Sequence, residues 1–449
     1  MFYSSSSKLR QVLLYLLFCT TLQWNSASAS LISYTMIADT ATPVPGGSAG
    51  EKFAAFYPPS YSKNNTAFWA TSTIPPSHSF VSMGIYKYID NKLDVVADTN
   101  TQIPKGTGTF ENFGREVSIK DRNIAFRGSS PSTSQNGIYR EHQGTILAFA
   151  NEDTTAPGDF RKFDNLRGPS TTEFNSLSFW GRLPEGAKIL PGGGLEYFPL
   201  KEGIYSATSN IIVSLVDTDD PIPDGTGNFT AFGPESVVVD NSFTAFIGHG
   251  ESNQEGLYMN AHGSTWRVVD NSTPIPHGNG TFSSLFAPSI NANQLAFVGL
   301  GDKQAGIYRA WNSIHGPVVE RIADLNTLIP GQANAFVDFG AYVSLDFSTL
   351  DIGKAAFVGF DPSMHSGIYI YDRSTLEKII SEGDLLFGKA IDGLAISPDA
   401  LDGNSIAFSA SFSDGSQGIF VANVPEPSTI ILFISGIIGL FEKRGQRKQ

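Results

Sequence analysis

The sequence predicts an all-β domain, a closed ring of seven four-stranded antiparallel units with a distinct segment at each end. Three observations point there. A Gly-aliphatic-aromatic triplet recurs seven times at intervals of 50–66 residues. A small residue followed by Phe precedes each triplet. The piece missing from the last unit is found at the front of the chain. A fixed unit at such spacing marks a repeat architecture, whatever the local propensities.

The triplets are Gly84-Ile85-Tyr86, Gly137-Ile138-Tyr139, Gly203-Ile204-Tyr205, Gly256-Leu257-Tyr258, Gly306-Ile307-Tyr308, Gly367-Ile368-Tyr369 and Gly418-Ile419-Phe420. The preceding pairs are Ala67-Phe68, Ala125-Phe126, Ser178-Phe179, Ala245-Phe246, Ala296-Phe297, Ala356-Phe357 and Ala407-Phe408. Both elements sit in short apolar or alternating runs between polar turns, which is strand behaviour. A third run follows the triplet and ends on an acid, as in Val95-Val96-Ala97-Asp98 and Val268-Val269-Asp270. After the acid comes a turn with Pro six residues on, in Asp39/Pro45, Asp98/Pro104, Asp217/Pro223, Asp270/Pro276 and Asp324/Pro330. Asn151/Pro157 and Glu382/Gly388 keep the interval with changed residues. A Gly- and Phe-containing stretch such as 225–233 then enters a fourth strand. Four short strands per unit without helical periodicity resembles a β-propeller blade. The alternative is a solenoid of stacked β coils, whose repeats are shorter and which needs end caps.

The termini decide between the two. The last unit has its Ala407-Phe408 and Gly418-Ile419-Phe420 strands but lacks the acid-ending run. The segment from Ile32 to Asp39 supplies it. Supplying the missing strand completes the last sheet and closes the ring, whereas an open solenoid has no reason to be permuted. The expected seven-bladed β-propeller spans residues 30–424. Its repeated glycines are expected to permit a tight turn or bulge at the strand start, and its Phe and Tyr rings to fill the wedges between blades.

Residues 1–29 read as a signal peptide. Lys8 and Arg10 precede a short apolar run, and Ala27-Ser28-Ala29 offers cleavage between Ala29 and Ser30. The one cysteine, Cys19, lies in this segment, so the processed chain would have neither disulfides nor thiol chemistry. At the other end, Pro425, Glu426 and Pro427 are followed by the apolar run Ile430 to Phe441 and by Lys443, Arg444, Arg447 and Lys448. Residues 425–449 resemble the PEP-CTERM sorting signal, with its basic end diluted by Gly445 and Gln446. The resemblance implies signal peptidase and exosortase as processing partners, and a transient inner-membrane anchorage through this segment alone. It further implies a final place at the cell surface or outside the cell. A plain C-terminal membrane anchor is the alternative.

The chain carries a formal charge of −13. Removing Lys8 and Arg10, then the tail's four basic and two acidic residues, takes it to about −17. That acidity excludes nucleic-acid binding through phosphates. Divalent cations or neutral glycans suit it better, and solubility outside the cell accounts for it without a partner.

Site candidates are few. The acids that close each third run would form a ring able to hold a hard cation such as calcium. The competing role is a turn whose Asp accepts backbone N–H groups. The densest acidic stretch, Asp217, Asp219, Asp220 and Asp224, is the candidate metal loop, although Pro221 stands where a further ligand would fall. Two connections between second and third strands are long, Ala70 to Met83 and Trp180 to Glu202. The latter carries Trp180, Arg182, Glu185 and Tyr197, an aromatic-plus-charge set suited to a sugar face; the competing role is a self-packed lid. The seven histidines share no repeat position, and no nucleophile elbow or phosphate loop is present. The functional expectation is therefore a non-enzymatic binding or structural module at the cell surface, with exopolysaccharide as its ligand. A polysaccharide-cleaving glycosidase or lyase on the same scaffold is the alternative, since a catalytic carboxylate pair comes from distant segments.

Overall fold

A computed structural model describes residues 32–425, apart from 76–78, 192, 210, 314–315 and 347–352. The signal-peptide and cleavage-site residues Ala29 and Ser30 lie outside the described residues, as do Glu426, Pro427 and the tail beyond them.

Seven antiparallel sheets follow one another along the chain, each with four main strands in the order first to fourth. Blade 1 is Lys52–Phe56, Asn65–Ile74, Ser79–Ile89 and Lys92–Asp98; blade 2 is Asn112–Lys120, Asn123–Ser130, Gln135–His142 and Thr145–Asn151. Blade 3 is Asn165–Thr171, Leu177–Leu183, Lys201–Ala207 and Ile212–Asp217; blade 4 is Phe229–Phe232, Phe243–Gly250, Glu255–Ala261 and Ser264–Asp270. Blade 5 is Ser284–Asn291, Gln294–Gly301, Gln304–Ser313 and Gly316–Asp324; blade 6 is Asp338–Asp346, Lys354–Phe360, Ser366–Asp372 and Thr375–Ser381. Blade 7 takes Lys389–Ala395, Ser405–Phe412 and Gln417–Asn423 from the end of the chain and Ser33–Asp39 from its beginning. The Thr40 N–H donates to the Gln417 carbonyl at 3.0 Å beside this junction. The ring therefore closes as the orphan run from Ile32 to Asp39 implied.

Hydrophobic clusters straddle neighbouring blades. Ala67, Ile85 and Ala97 of blade 1 pack with Phe110, Phe126 and Tyr139 of blade 2. Ile37, Ala38 and Ile419 of blade 7 pack with Phe53, Phe68 and Tyr86 of blade 1. Each blade has an aromatic trio: Phe110 meets Tyr139 edge-on at 4.9 Å, while Phe126 stacks on Tyr139 at 5.7 Å. Phe282, Phe297 and Tyr308 repeat the distances in blade 5. The repeated rings are core, and the triplet tyrosines are almost wholly buried.

The triplet glycine has a different task from the one expected. None of the seven adopts positive φ. A Cβ on Gly306 would stand 2.7 Å from the Ala323 carbonyl oxygen and 2.8 Å from the Tyr308 hydroxyl. The glycine lets the fourth strand and its own i+2 tyrosine close in together. The bulge lies in the neighbouring strand, where Ile307 pairs with Ala323 but Tyr308 pairs with Arg321. Gly306→Ala is therefore expected to cost about 1–3 kcal/mol as an overpacked core site. Urea unfolding checks this against Gly194→Ala, whose new methyl would meet nothing nearer than 3.9 Å.

Candidate functional site

The recurring acid is built into a turn. The Asp98 carboxylate accepts from the Asn100 N–H at 3.0 Å and the Thr101 hydroxyl at 2.8 Å. Asp270 and Asp324 repeat the arrangement with Thr273 and Thr327. Glu382 does not belong to this ring: Gly367 pairs with Ser381, as Gly84 does with Asp98, and the acid of that turn is Asp384, which accepts from the Ser381 N–H at 2.8 Å. In the candidate metal loop, Lys201 sits 2.8 Å from both Asp217 and Asp219, and Asp220 accepts from the Asp217 N–H at 2.9 Å. Asp224 lies apart, 3.9 Å from Arg267. Among the described residues no group of three or more His, Cys, Asp or Glu is gathered to hold a metal ion.

The stretch from Trp180 to Glu202 is mostly not loop. Trp180 belongs to the second strand of blade 3, is 4% exposed, and packs with Ile204, Val216 and Phe229 while its indole N–H reaches Glu202 at 3.3 Å. A residue so enclosed offers no sugar-stacking face. Arg182 is paired with Asp164 at 2.9 Å. Beyond it, Gly186–Ile189 and Leu195–Phe198 form a separate two-stranded hairpin. Tyr197 is 75% exposed on that hairpin and Glu185 is exposed at its start. Arg161 anchors the hairpin base, donating to the Pro184 carbonyl at 2.9 Å and the Pro199 carbonyl at 2.6 Å. The other long connection, Ala70 to Met83, is largely strand as well, with Thr73 paired to Phe80.

The feature that sequence reasoning missed lies on the inner strands. Each first strand faces the axis and is bulged or broken midway: between Phe53 and Ala55, Phe113 and Val117, Arg167 and Ser170, Phe286 and Ser289, and Phe339 and Val343. In blades 1, 4 and 7 it also splits into two pieces, with Ser60–Ser62, Val238–Asp240 and Leu401–Asp402 as the second. Pro58, Pro169, Pro234, Pro288 and Pro398 fall in or beside these breaks, where a missing N–H suits a strand with one unpaired edge.

Below the breaks, serines stitch blade to blade. Ser60 accepts the N–H of Ile119, Ser118 that of Thr171, Ser170 that of Val239, Ser289 that of Leu345 and Ser344 that of Leu401, at 2.9–3.2 Å. At the junction of blades 7 and 1, the Asp399 carbonyl takes over and accepts from the Tyr61 N–H at 2.7 Å. The signal existed: Pro59-Ser60, Val117-Ser118, Pro169-Ser170, Pro288-Ser289 and Val343-Ser344 recur ahead of the second strands of blades 1, 2, 3, 5 and 6.

The break in blade 7, from Ile396 to Ala400, reaches across the axis. The Ser397 hydroxyl donates to the Pro59 carbonyl of blade 1, and the Pro398 carbonyl accepts from Ser289 of blade 5, both at 2.7 Å. Asp399 accepts from Ser118 of blade 2 at 2.9 Å and faces Lys120 at 3.4 Å. Burial works against the Lys120 cation, but Asp399 and Asp240 outweigh it and hold its pKa up. This segment floors a cup on the ring axis with a cavity volume of about 70 Å³. Tyr57, Arg115, Glu116, Glu235 and Tyr342 are among its walls. An apolar pocket with a cavity volume of about 410 Å³ adjoins it at Tyr57, Pro58 and Tyr342, bounded by Phe56, Val358, Phe360 and Leu394.

Charge is concentrated at the cup. Arg115 lies over the rings of Tyr57 at 5.0 Å and Trp69 at 5.7 Å. Arg167 and Glu235 form an ion pair at 3.5 Å. Burial raises the Glu116 carboxyl above the usual range and the nearby Glu235 adds to the shift, against the pull of Arg127 and Arg167. Burial lowers Arg127, and Arg167 beside it does the same. Both tyrosines and all these charges stand on inner-strand breaks, except Arg127, whose second strand runs opposite the blade 2 break, and Arg167 at the edge of its break.

Seven four-stranded blades around a floored cup define a seven-bladed β-propeller with a recessed axial site. The chain belongs to a family of unknown function, DUF7453, whose sequence profile matches residues 18–431. No curated protein matches the sequence. Among solved structures it is similar to a prolyl endopeptidase, with TM-score 0.48 and 11% identity over 87% of this chain and 48% of that one. It is also similar to the acylaminoacyl peptidase of Pyrococcus horikoshii, with TM-score 0.46 and 11% identity over 84% and 54%. A third likeness is to the β-propeller domain of the Trilobed protease from Pyrococcus furiosus, with TM-score 0.36 and 11% identity over 74% and 100%. The chain spans about half the length of the first two, and nothing of their activities is carried over.

Proposed function

We propose that this chain is an exported propeller that holds a polysaccharide at the cell surface without cleaving it, with the axial cup as the binding site. The cup carries this reading. It is the place where the blades depart from their shared pattern, and it combines an aromatic shelf with fixed charges on backbone held by the serine stitches. Export and surface display rest on residues 1–29 and on the PEP-CTERM-like segment 425–449, with signal peptidase and exosortase as the processing enzymes. Tyr197 and Glu185, exposed on the blade 3 hairpin, are the second candidate contact surface.

A cleaving enzyme is the second reading, and one observation favours it. Glu116 is half-buried with a raised pKa, while Glu235 beside it is exposed and paired with Arg167. Two carboxyls in such different surroundings are what a glycosidase divides into acid and partner. Incubating the full-length chain with surface polysaccharide separates the readings. Retention of polymer with no new reducing ends is the expected result. Release of reducing ends that disappears in Glu116→Gln would make the protein an enzyme.

A further inference from the structure

We propose that the mouth of the cup recognises the carboxylate of an acidic sugar residue, with Arg127 and Arg115 as the receiving cations. This rests on the polysaccharide reading above and names the class of sugar.

Three guanidinium groups and two carboxylates meet here, and one ion pair is made among them, Arg167 with Glu235. Arg127 is half-buried opposite the blade 2 break, and its side chain makes no hydrogen bond or ion pair among the described residues. A guanidinium has five N–H donors, and holding one partly out of water without an acceptor is costly. Its Nε and the Glu116 carboxylate lie 3.3 Å from the place where a methyl on Gly114 would be, so a larger residue there would crowd both groups. Arg115 is exposed and lies over two aromatic rings, and its side chain makes no hydrogen bond or ion pair among the described residues.

Elsewhere the processed chain is strongly acidic, so a recess with three guanidinium groups at and beside it is a local exception. Low-dielectric walls focus its field on an incoming anion. A sugar carboxylate offers the paired oxygens that a guanidinium fork matches, whereas a neutral sugar offers hydroxyls alone. Tyr57 and Tyr342 supply flat surface for the ring carrying that carboxylate, and Glu116 an acceptor for its hydroxyls.

The test is calorimetric titration of the full-length chain with polygalacturonate oligosaccharides and with the same oligosaccharides after carboxyl reduction. The acidic form is expected to bind about tenfold or more tighter than the reduced form. Arg127→Gln should lose about that factor for the acidic form and nothing for the reduced form. Arg127→Lys, which keeps the charge but not the fork, should fall between. Arg122→Gln, which removes an exposed pair with Asp90, should change neither. Each variant's urea midpoint confirms that it is folded. Equal affinity for both forms, unmoved by Arg127→Gln, overturns the proposal and leaves the polysaccharide reading standing. Binding of no glycan at all removes that reading instead.

Discussion

Raising the pH from 10 to 12 is expected to unfold the propeller in one cooperative step. Burial in the blade cores pushes the hydroxyls of Tyr139, Tyr258, Tyr308 and Tyr369 up to about 12, each with a neighbouring acid adding to the shift: Glu152, Asp270, Asp324 and Asp361. Tyr86 and Tyr205 are raised for the same reason. In the unfolded chain these phenols ionise near 10, so above that value the unfolded state binds fewer protons than the folded one. Stability from this source is complete below pH 10 and lost as the pH climbs through the folded-state value. Each ring contributes about 2–3 kcal/mol on this basis, so four together rival the roughly 5–15 kcal/mol net stability of an ordinary domain. Phenolate absorbance and far-UV circular dichroism should therefore change together. Gradual phenolate formation from pH 10 with the β signal intact would show that the trio tyrosines are not enclosed as described.

Ala38→Asp is expected to open the ring. Ala38 is 1% exposed on the N-terminal strand and packs among Phe53, Phe68 and Tyr86 of blade 1 and Ile419 and Val421 of blade 7. An unpaired carboxylate there should cost about 3–5 kcal/mol. The effect reaches beyond one strand, because losing Ser33–Asp39 uncovers Gln417–Asn423 and frees the face against blade 1. Met36→Asp is the control on the same strand, at a position 43% exposed, with an expected change within about 0.5 kcal/mol. Urea unfolding and protease susceptibility report both. Equal small losses in the two variants would mean that closure by this strand contributes little.

The two predictions rest on the part of the molecule that was legible in sequence. Blade number, strand order and closure could all be read because every blade solves the same packing problem with the same residues. The aromatic trio demands Phe and Tyr at fixed places, and the fourth strand's approach demands the triplet glycine. Legibility fell off where chemistry varies from blade to blade. Trp180 reads as a loop residue because blade 3 inserts a hairpin after its second strand, which masks the strand's true end. Glu382 reads as a ring member because Ser381, with no charge to mark it, holds the aligned position and lends its role to Asp384. The cup was invisible because its walls come from Tyr57, Arg115, Glu116, Glu235 and Tyr342, in four different blades. No single-chain spacing links them; the ring alone brings them together. The serine stitches lay between these cases, a recurring dipeptide whose purpose appears only once neighbouring inner strands are seen side by side.

The central claim is that ligand sits in the axial cup and not on the blade 3 hairpin. Binding of an acidic polysaccharide to full-length Tyr342→Ala, Arg115→Gln and Tyr197→Ala variants tests it most directly. Tyr342 and Arg115 line the cup, whereas Tyr197 is exposed on the hairpin. The account predicts that the first two variants lose affinity by about tenfold each and that Tyr197→Ala binds like the parent chain. Loss confined to Tyr197→Ala, with the cup variants unchanged, would contradict it.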